Sequence, residues 1–252
     1  LLIYFKYTNF FLENINALIG SDIVFDKIIL PLAISFYTFQ QITYLVDSYN
    51  GETEVHSFLN YCVFVTFFPQ LIIGPIVHHR EMLPQFAKDT IYKLKTENIT
   101  LGLILVIIGL FKKIVIADGI SVYASPIFEA AETGGNLTFF AGWCGTLAYT
   151  FQLYFDFSGY SDTAIGLARM FGIVLPMNFF SPYKAHNVAE FWRRWHMTLS
   201  RLIRDYLYYP VTLLLTRYAA SSNYGPISRF ILIVLSPIIF TFFWVGLWHG
   251  AG

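Results

Sequence analysis

The sequence predicts an all-α integral membrane protein, a multi-span helical bundle with tilted, broken and interfacial helices. Three observations carry that expectation. The 252 residues are 56% hydrophobic and only 13% charged, against roughly 25% charged for an average soluble domain. Several windows stay apolar for about 18 residues or more, the length that crosses a bilayer. Aromatic residues make up 19% of the chain, which suits interfacial belts and a lined cavity better than a soluble core. The formal net charge is zero, so bulk charge points to no nucleic-acid partner.

Residues 1–12 read as the tail of a span. A second span, over 28–46, starts at Leu30-Pro31 and carries the polar residues Ser35, Thr38, Gln40, Gln41 and Thr43. Residues 57–77 are apolar but interrupted by Pro69 and Gly74-Pro75. Proline removes a helical hydrogen bond, and irregular backbone at membrane depth survives only under cover of protein or water. That segment is therefore expected to be a broken or re-entrant helix lining a cavity. Residues 99–117 read as a clean span, with Lys112 and Lys113 placed to snorkel near its end. Another span covers 137–157 and ends in Asp156, followed by a short polar-faced helix and a loop over 158–185. A charged helix over 187–209 comes next, and 229–248 form the last span.

Cys62 and Cys144 lie in apolar segments without metal-ligand spacing. They read as small buried apolar residues, and no metal site is expected. The chain opens on Leu1-Leu2-Ile3 and stops at Ala251-Gly252. Residues 1–252 are read as a single domain truncated at both ends, from the middle of a longer protein.

Loop 78–97 carries Arg80, Lys88, Lys93 and Lys95, and region 158–226 carries Arg169, Lys184, Arg193, Arg194, Arg201, Arg204 and Arg217. Loops 47–56 and 118–136 hold acids and no Lys or Arg. The positive-inside rule then places 78–97 and 158–226 in the cytoplasm.

The chemistry is concentrated in 190–210, where Arg193, Arg194, Arg201 and Arg204 crowd with His196 and several aromatics between apolar segments. Arginine is costly in hydrocarbon unless it is paired or faces water, and histidine exchanges a proton near neutral pH. On one continuous helix Trp192, His196 and Ser200 share a face, and Glu190–Arg194 and Arg201–Asp205 are spaced to pair. Two readings stay open here: an interfacial amphipathic helix whose arginines bind lipid headgroups, or a functional cluster. A second polar run, Phe155-Asp156-Phe157-Ser158-Gly159-Tyr160-Ser161-Asp162, suggests a satisfied polar network beside it. His249, in Gly246-Leu247-Trp248-His249-Gly250, serves either chemistry or a hydrogen bond to a neighbouring carbonyl.

Phe155 through Asp162, Asn178-Phe179-Phe180-Ser181-Pro182-Tyr183, Glu190 through His196, Arg204-Asp205-Tyr206-Leu207-Tyr208 and Gly246 through Gly252 together resemble the membrane-bound O-acyltransferase family. Within it the motifs resemble the bacterial alginate O-acetyltransferase branch and, more distantly, the teichoic-acid D-alanyl transfer protein. Ile34-Ser35-Phe36-Tyr37-Thr38-Phe39-Gln40 and the run Phe67 through Val77 match too, so the resemblance extends from about residue 30 to 252. It implies membrane helices and shorter tilted helices around a tunnel, in a multi-pass protein of the bacterial inner membrane. It implies that His249 is the catalytic histidine and His196 the second active-site polar residue. The implied donor is a cytoplasmic acyl thioester, acyl-CoA or an acylated carrier protein, with no tightly bound cofactor. The implied acceptor is a glycan hydroxyl on the far side, or a secreted acyl-relay partner protein. One departure lies after Tyr209-Pro210: the alginate branch carries a glycine-rich Gly-Gly-Asn-Arg stretch, and this chain has Val211-Thr-Leu-Leu-Leu-Thr-Arg217.

Moving an acyl group, acetyl first among the candidates, from a thioester to a hydroxyl needs a base for the acceptor and a donor to the oxyanion. His249 is the expected general base, with His196 polarising the thioester carbonyl or assisting the base. Arg193, Arg194 and Arg201 suit a phosphate-bearing donor because guanidinium binds phosphate bidentately; each read singly is equally a solvated interfacial charge. Trp192, Ser200 and Asp156 complete the candidate substrate-binding set. Two other classes compete. A polytopic transporter would show internal repeats, and none is visible. A non-catalytic scaffold of an envelope-polysaccharide complex would tolerate loss of both histidines.

Overall fold

The computed structural model describes residues 2–21, 23, 28–53, 57–71, 74–88, 91, 93–221 and 223–250. All regular structure among them is helical. The residues fall into two compact units, Gly51–Thr198 and Leu1–Asn50 with Leu199–Gly252.

The unit Gly51–Thr198 is organised by two long helices. Helix α6 (Thr96–Leu110) passes through a π-helical stretch, Phe111–Ala117, directly into α7 (Asp118–Glu132). This run of 37 residues is long and apolar enough to cross a membrane. Helix α8 (Phe139–Met170) packs along it in the opposite direction. The close approach comes from two glycine pairs. A Cβ added at Gly102 would stand 2.5 Å from the Gly166 carbonyl oxygen, and one at Gly166 would stand 2.6 Å from that of Gly102. Between Gly109 and Gly159 the reciprocal distances are 2.5 and 2.7 Å. Small residues let helix backbones meet where lipid offers no hydrophobic driving force for association.

The polar residues beside these glycines are paired. Lys112 Nζ meets Asp162 Oδ2 at 2.5 Å, while Lys113 bonds Asp118 at 2.7 Å and forms an ion pair with Asp156. Lys113 and Asp118 are five residues apart, the spacing that a π turn brings onto one face. The expected snorkelling of Lys112 and Lys113 is therefore replaced by ion pairs with α8 and with Asp118.

Three element boundaries differ from expectation for related reasons. The loop expected at 118–136 is helical as far as Glu132, because the π turn and the Lys113–Asp118 pair carry the helix through Asp118-Gly119. The span at 137–157 and the short helix after it are one helix of 32 residues. Ser158, Gly159 and Ser161 are buried on it, so the polar run is a packed face. The charged helix expected over 187–209 is broken at Trp195-His196 into α9 (Val188–Arg194) and α10 (Met197–Ile203).

The segment 57–77 is broken as expected. Helix α3 (Phe58–Thr66) stops at Phe67, a single turn α4 (Phe68–Leu71) follows, and the chain is non-helical from Pro75 to His78 before α5 (His79–Phe86). Gln70 is buried and donates from Nε2 to the Phe64 carbonyl at 2.7 Å, which caps the broken turn. Cys62 is half-buried, and Cys144 is exposed rather than buried.

In the other unit, the π-helical turn Ile3–Tyr7 leads into α1 (Thr8–Ile19), and α2 spans Ile34–Tyr49. At 16 residues, α2 is shorter than the roughly 20 that cross a bilayer, because the backbone before it turns left-handed at Ala33, φ 62°. Beyond α10, a π turn (Arg204–Tyr208) enters α11 (Tyr209–Ala220). Helices α12 (Pro226–Phe230) and α13 (Ser236–Gly250), joined by a π turn, form the second run that is long and apolar enough to cross a membrane. The Tyr206 hydroxyl bonds both Asp47 carboxylate oxygens at 2.9 Å. Asp205 is bonded by its neighbour Arg204 at 2.8 Å.

Candidate functional site

His196 stands at the joint between α9 and α10 with φ 42°. Left-handed backbone is unusual and costly for a residue with a Cβ, and it persists where surrounding structure over-determines it. The surroundings here are specific. Segment 178–180 lies alongside the joint: Phe180 N–H donates to the Arg194 carbonyl and Met197 N–H to the Asn178 carbonyl, both at 2.9 Å. That pairing delivers the Asn178 side chain to the imidazole.

Asn178 Oδ1 lies 2.9 Å from His196 Nδ1, 2.9 Å from Thr198 Oγ1 and 3.4 Å from the Thr198 N–H. Asn178 Nδ2 donates to Ser161 Oγ of α8 at 3.1 Å. The Thr198 hydroxyl in turn accepts the N–H of Ile76, from the non-helical stretch after α4, at 3.0 Å. His196, Asn178, Ser161 and Thr198 are all buried. Polar groups so buried stabilise a fold when each is satisfied, and the chain of bonds polarises its members. Phe157 of α8 meets the imidazole edge-on with centroids 4.7 Å apart, and Phe179 lies nearly parallel at 6.3 Å. The ring is thus held between aromatic walls.

Helix α9 starts at Asn187, whose side chain caps the Glu190 N–H at 2.8 Å, while Glu190 accepts the His186 N–H at 2.8 Å. That N–H, and then Arg194, hold the Glu190 carboxyl below the usual carboxylate range. The expected Glu190–Arg194 pair is present, and Arg194 also lies 5.3 Å from the Phe180 ring. Trp192 and Arg193 are exposed on α9.

The break separates Trp192 and His196 from the shared helical face with Ser200 that one continuous helix would give. Ser200 and Arg201 lie on α10 and are half-buried. Asp156 is taken up by Lys113, which gives it a role in helix pairing.

His249 ends α13 and is exposed. Its ring meets that of Trp248 at 4.2 Å, and Trp248 also touches Phe39 at 5.1 Å with Lys6 over its face at 5.1 Å.

Asn178, Thr198 and Ser161 were not expected as site residues. Asn178 and Ser161 fall inside the motifs that carry the family resemblance, whereas Thr198 gives no signal of its own because its partner Ile76 is 122 residues away.

The family model of the membrane-bound O-acyltransferase family matches residues 46–252. The chain is 47% identical to a peptidoglycan O-acetyltransferase of Helicobacter pylori, over all of this chain and 50% of that one. It is 40% identical to a probable alginate O-acetylase of Pseudomonas aeruginosa, over 98% of this chain and 45% of the other. A teichoic acid D-alanyltransferase of Bacillus subtilis is 29% identical, over 87% and 53%. The chain spans about half the length of the curated relatives it matches.

Proposed function

The chain belongs to the membrane-bound O-acyltransferase family, and from that premise we propose that it transfers an acyl group, acetyl in the first instance, from a cytoplasmic thioester to hydroxyls of an extracytoplasmic envelope glycan. The reaction forms an ester C–O bond and breaks the thioester C–S bond. The acceptor hydroxyl loses its proton to a base, and the departing thiolate takes one up. Acyl-CoA or an acylated carrier protein is the donor; a polysaccharide, or a secreted partner that relays the acyl group to it, is the acceptor. His249 acts as general base and His196 as the second polar group. Arg193, Arg194 and Arg201 draw in a phosphate-bearing donor. The protein sits in the bacterial inner membrane as a multi-pass bundle around a tunnel.

One observation carries the reading: the His196 imidazole is buried between aromatic rings and bonded into a polar network with Asn178. The helix break that creates this setting is what an interfacial anchor helix would not need. Apolar side chains left exposed on α6 through α8, such as Ile107, Val115, Phe139 and Leu147, fit a lipid surround.

The experiment is donor turnover by the membrane-embedded protein. His249→Ala is expected to abolish acyl transfer with normal expression and insertion. His196→Ala is expected to lower it about 10²-fold or more. Near-normal turnover by the His249 variant, or a His196 effect confined to protein level, defeats the assignment.

A further inference from the structure

We infer that Asn178 is a positioning residue that fixes the Nδ1–H tautomer of His196 and so makes Nε2 the proton-accepting atom. The inference rests on the reading of His196 as a participant in acyl transfer.

The direction of each bond follows from groups that have no choice. The backbone N–H groups of Ile76 and Thr198 can only donate. Ile76 N–H donates to Thr198 Oγ1, and the Thr198 hydroxyl donates its own proton to the Asn178 side chain at 2.9 Å. Thr198 N–H points at the same Asn178 atom. Two donors converging on one atom require it to be the amide oxygen. The reversed amide would set NH2 hydrogens against the Thr198 N–H. Ser161 Oγ, at the other amide atom, serves as acceptor to Nδ2 and needs no rearrangement. With Asn178 Oδ1 so assigned, His196 Nδ1, 2.9 Å away, must carry the hydrogen.

A neutral imidazole with its proton on Nδ1 has a lone pair at Nε2 and nothing there to donate. Such a ring cannot polarise a thioester carbonyl through Nε2. It can assist the base by taking up a proton at Nε2, after which the Nε2–H of the imidazolium can pass that proton to the departing sulfur. Of the two roles open to His196, the network therefore selects proton transfer. The hydrogen bond to one ring nitrogen sets the state of the other. Ile76 comes from the broken segment after α4 and Ser161 from α8, so three parts of one unit cooperate to hold a single hydrogen.

The test is the nitrogen NMR spectrum of selectively labelled His196, in the full-length protein in nanodiscs, above the pH at which the ring titrates. A protonated Nδ1 and an unprotonated Nε2 are expected. Asn178→Leu, which removes the acceptor, should give an Nε2–H or mixed ring and lower kcat about 10-fold or more with KM for the donor within about 2-fold. Asn178→Asp, which retains an acceptor, should keep the Nδ1 proton. An Nε2–H ring in the wild-type protein, or an unchanged tautomer in Asn178→Leu, overturns the inference, and the wild-type spectrum decides even if the leucine variant fails to fold. Full turnover by His196→Ala would instead remove the functional reading, leaving the spectra to judge the tautomer on their own.

Discussion

Substituting Gly109 by alanine should drive α6 and α8 apart. The added Cβ would lie 2.4 Å from Thr163 Oγ1, 2.5 Å from the Gly159 carbonyl oxygen and 2.7 Å from the Thr163 nitrogen. The hydroxyl can rotate away, but the other two atoms are helix backbone and cannot move alone. Reaching ordinary contact at 3.4 Å requires a retreat of about 0.7–0.9 Å. The motion must also loosen Gly102 against Gly166 and stretch the Lys112–Asp162 and Lys113–Asp156 pairs. Overpacking of this kind costs about 1–3 kcal/mol, and the upper half applies because backbone is displaced. Alanine's better helix propensity offsets about 1 kcal/mol, leaving a net loss of about 1–2 kcal/mol. Gly142, on the same α8 with nothing within 4 Å of its added Cβ, is the control, and Gly142→Ala should gain up to about 1 kcal/mol. Reversible unfolding in mixed micelles measures both. If the two variants agree within about 0.5 kcal/mol, the glycine contacts do not set the helix spacing.

Lys112→Met should destabilise by about 1–3 kcal/mol, because it leaves Asp162 partly buried without its cation. Adding Asp162→Leu should recover most of that loss in the same unfolding assay, and no recovery would mean the pair is incidental. Glu190 is ionised more readily in the folded state than in the unfolded chain. Its stabilising contribution is therefore complete above the ordinary carboxylate range near ~4.3 and is lost as pH falls through its lower folded value. Thermal midpoints at pH 6 and pH 3 should fall further for wild type than for Glu190→Gln, and equal falls would reject the cap.

The helical class, the break in 57–77 and the Glu190–Arg194 pair were legible because each depends on residues near one another in sequence. The same locality explains the errors. Asp118-Gly119 reads as a turn until Lys113 holds Asp118 across a π turn, and Ser158-Gly159 reads as a helix end until Gly109 packs on it. His196 was identifiable by its chemistry, but the helix break beneath it was not, since no glycine or proline marks that joint. The left-handed backbone at His196 comes with partners at Asn178 and Thr198, and through Thr198 with Ile76, and no periodicity in the sequence announces them.

The bond from Ile76 to Thr198 joins residues 122 apart, and this gives the site a birth date during synthesis. At ribosomal rates of about 5–20 residues per second, roughly 6–24 seconds pass between the appearance of the first partner and that of the last. Throughout that interval Ile76 has no Thr198 hydroxyl to receive its N–H, and Asn178, once made, waits 18 residues for its imidazole. A nascent chain made only through α8 therefore lacks the closed network. The polar network around His196 is thus among the last features of its unit to close, once residues on both sides of the helix break have been made.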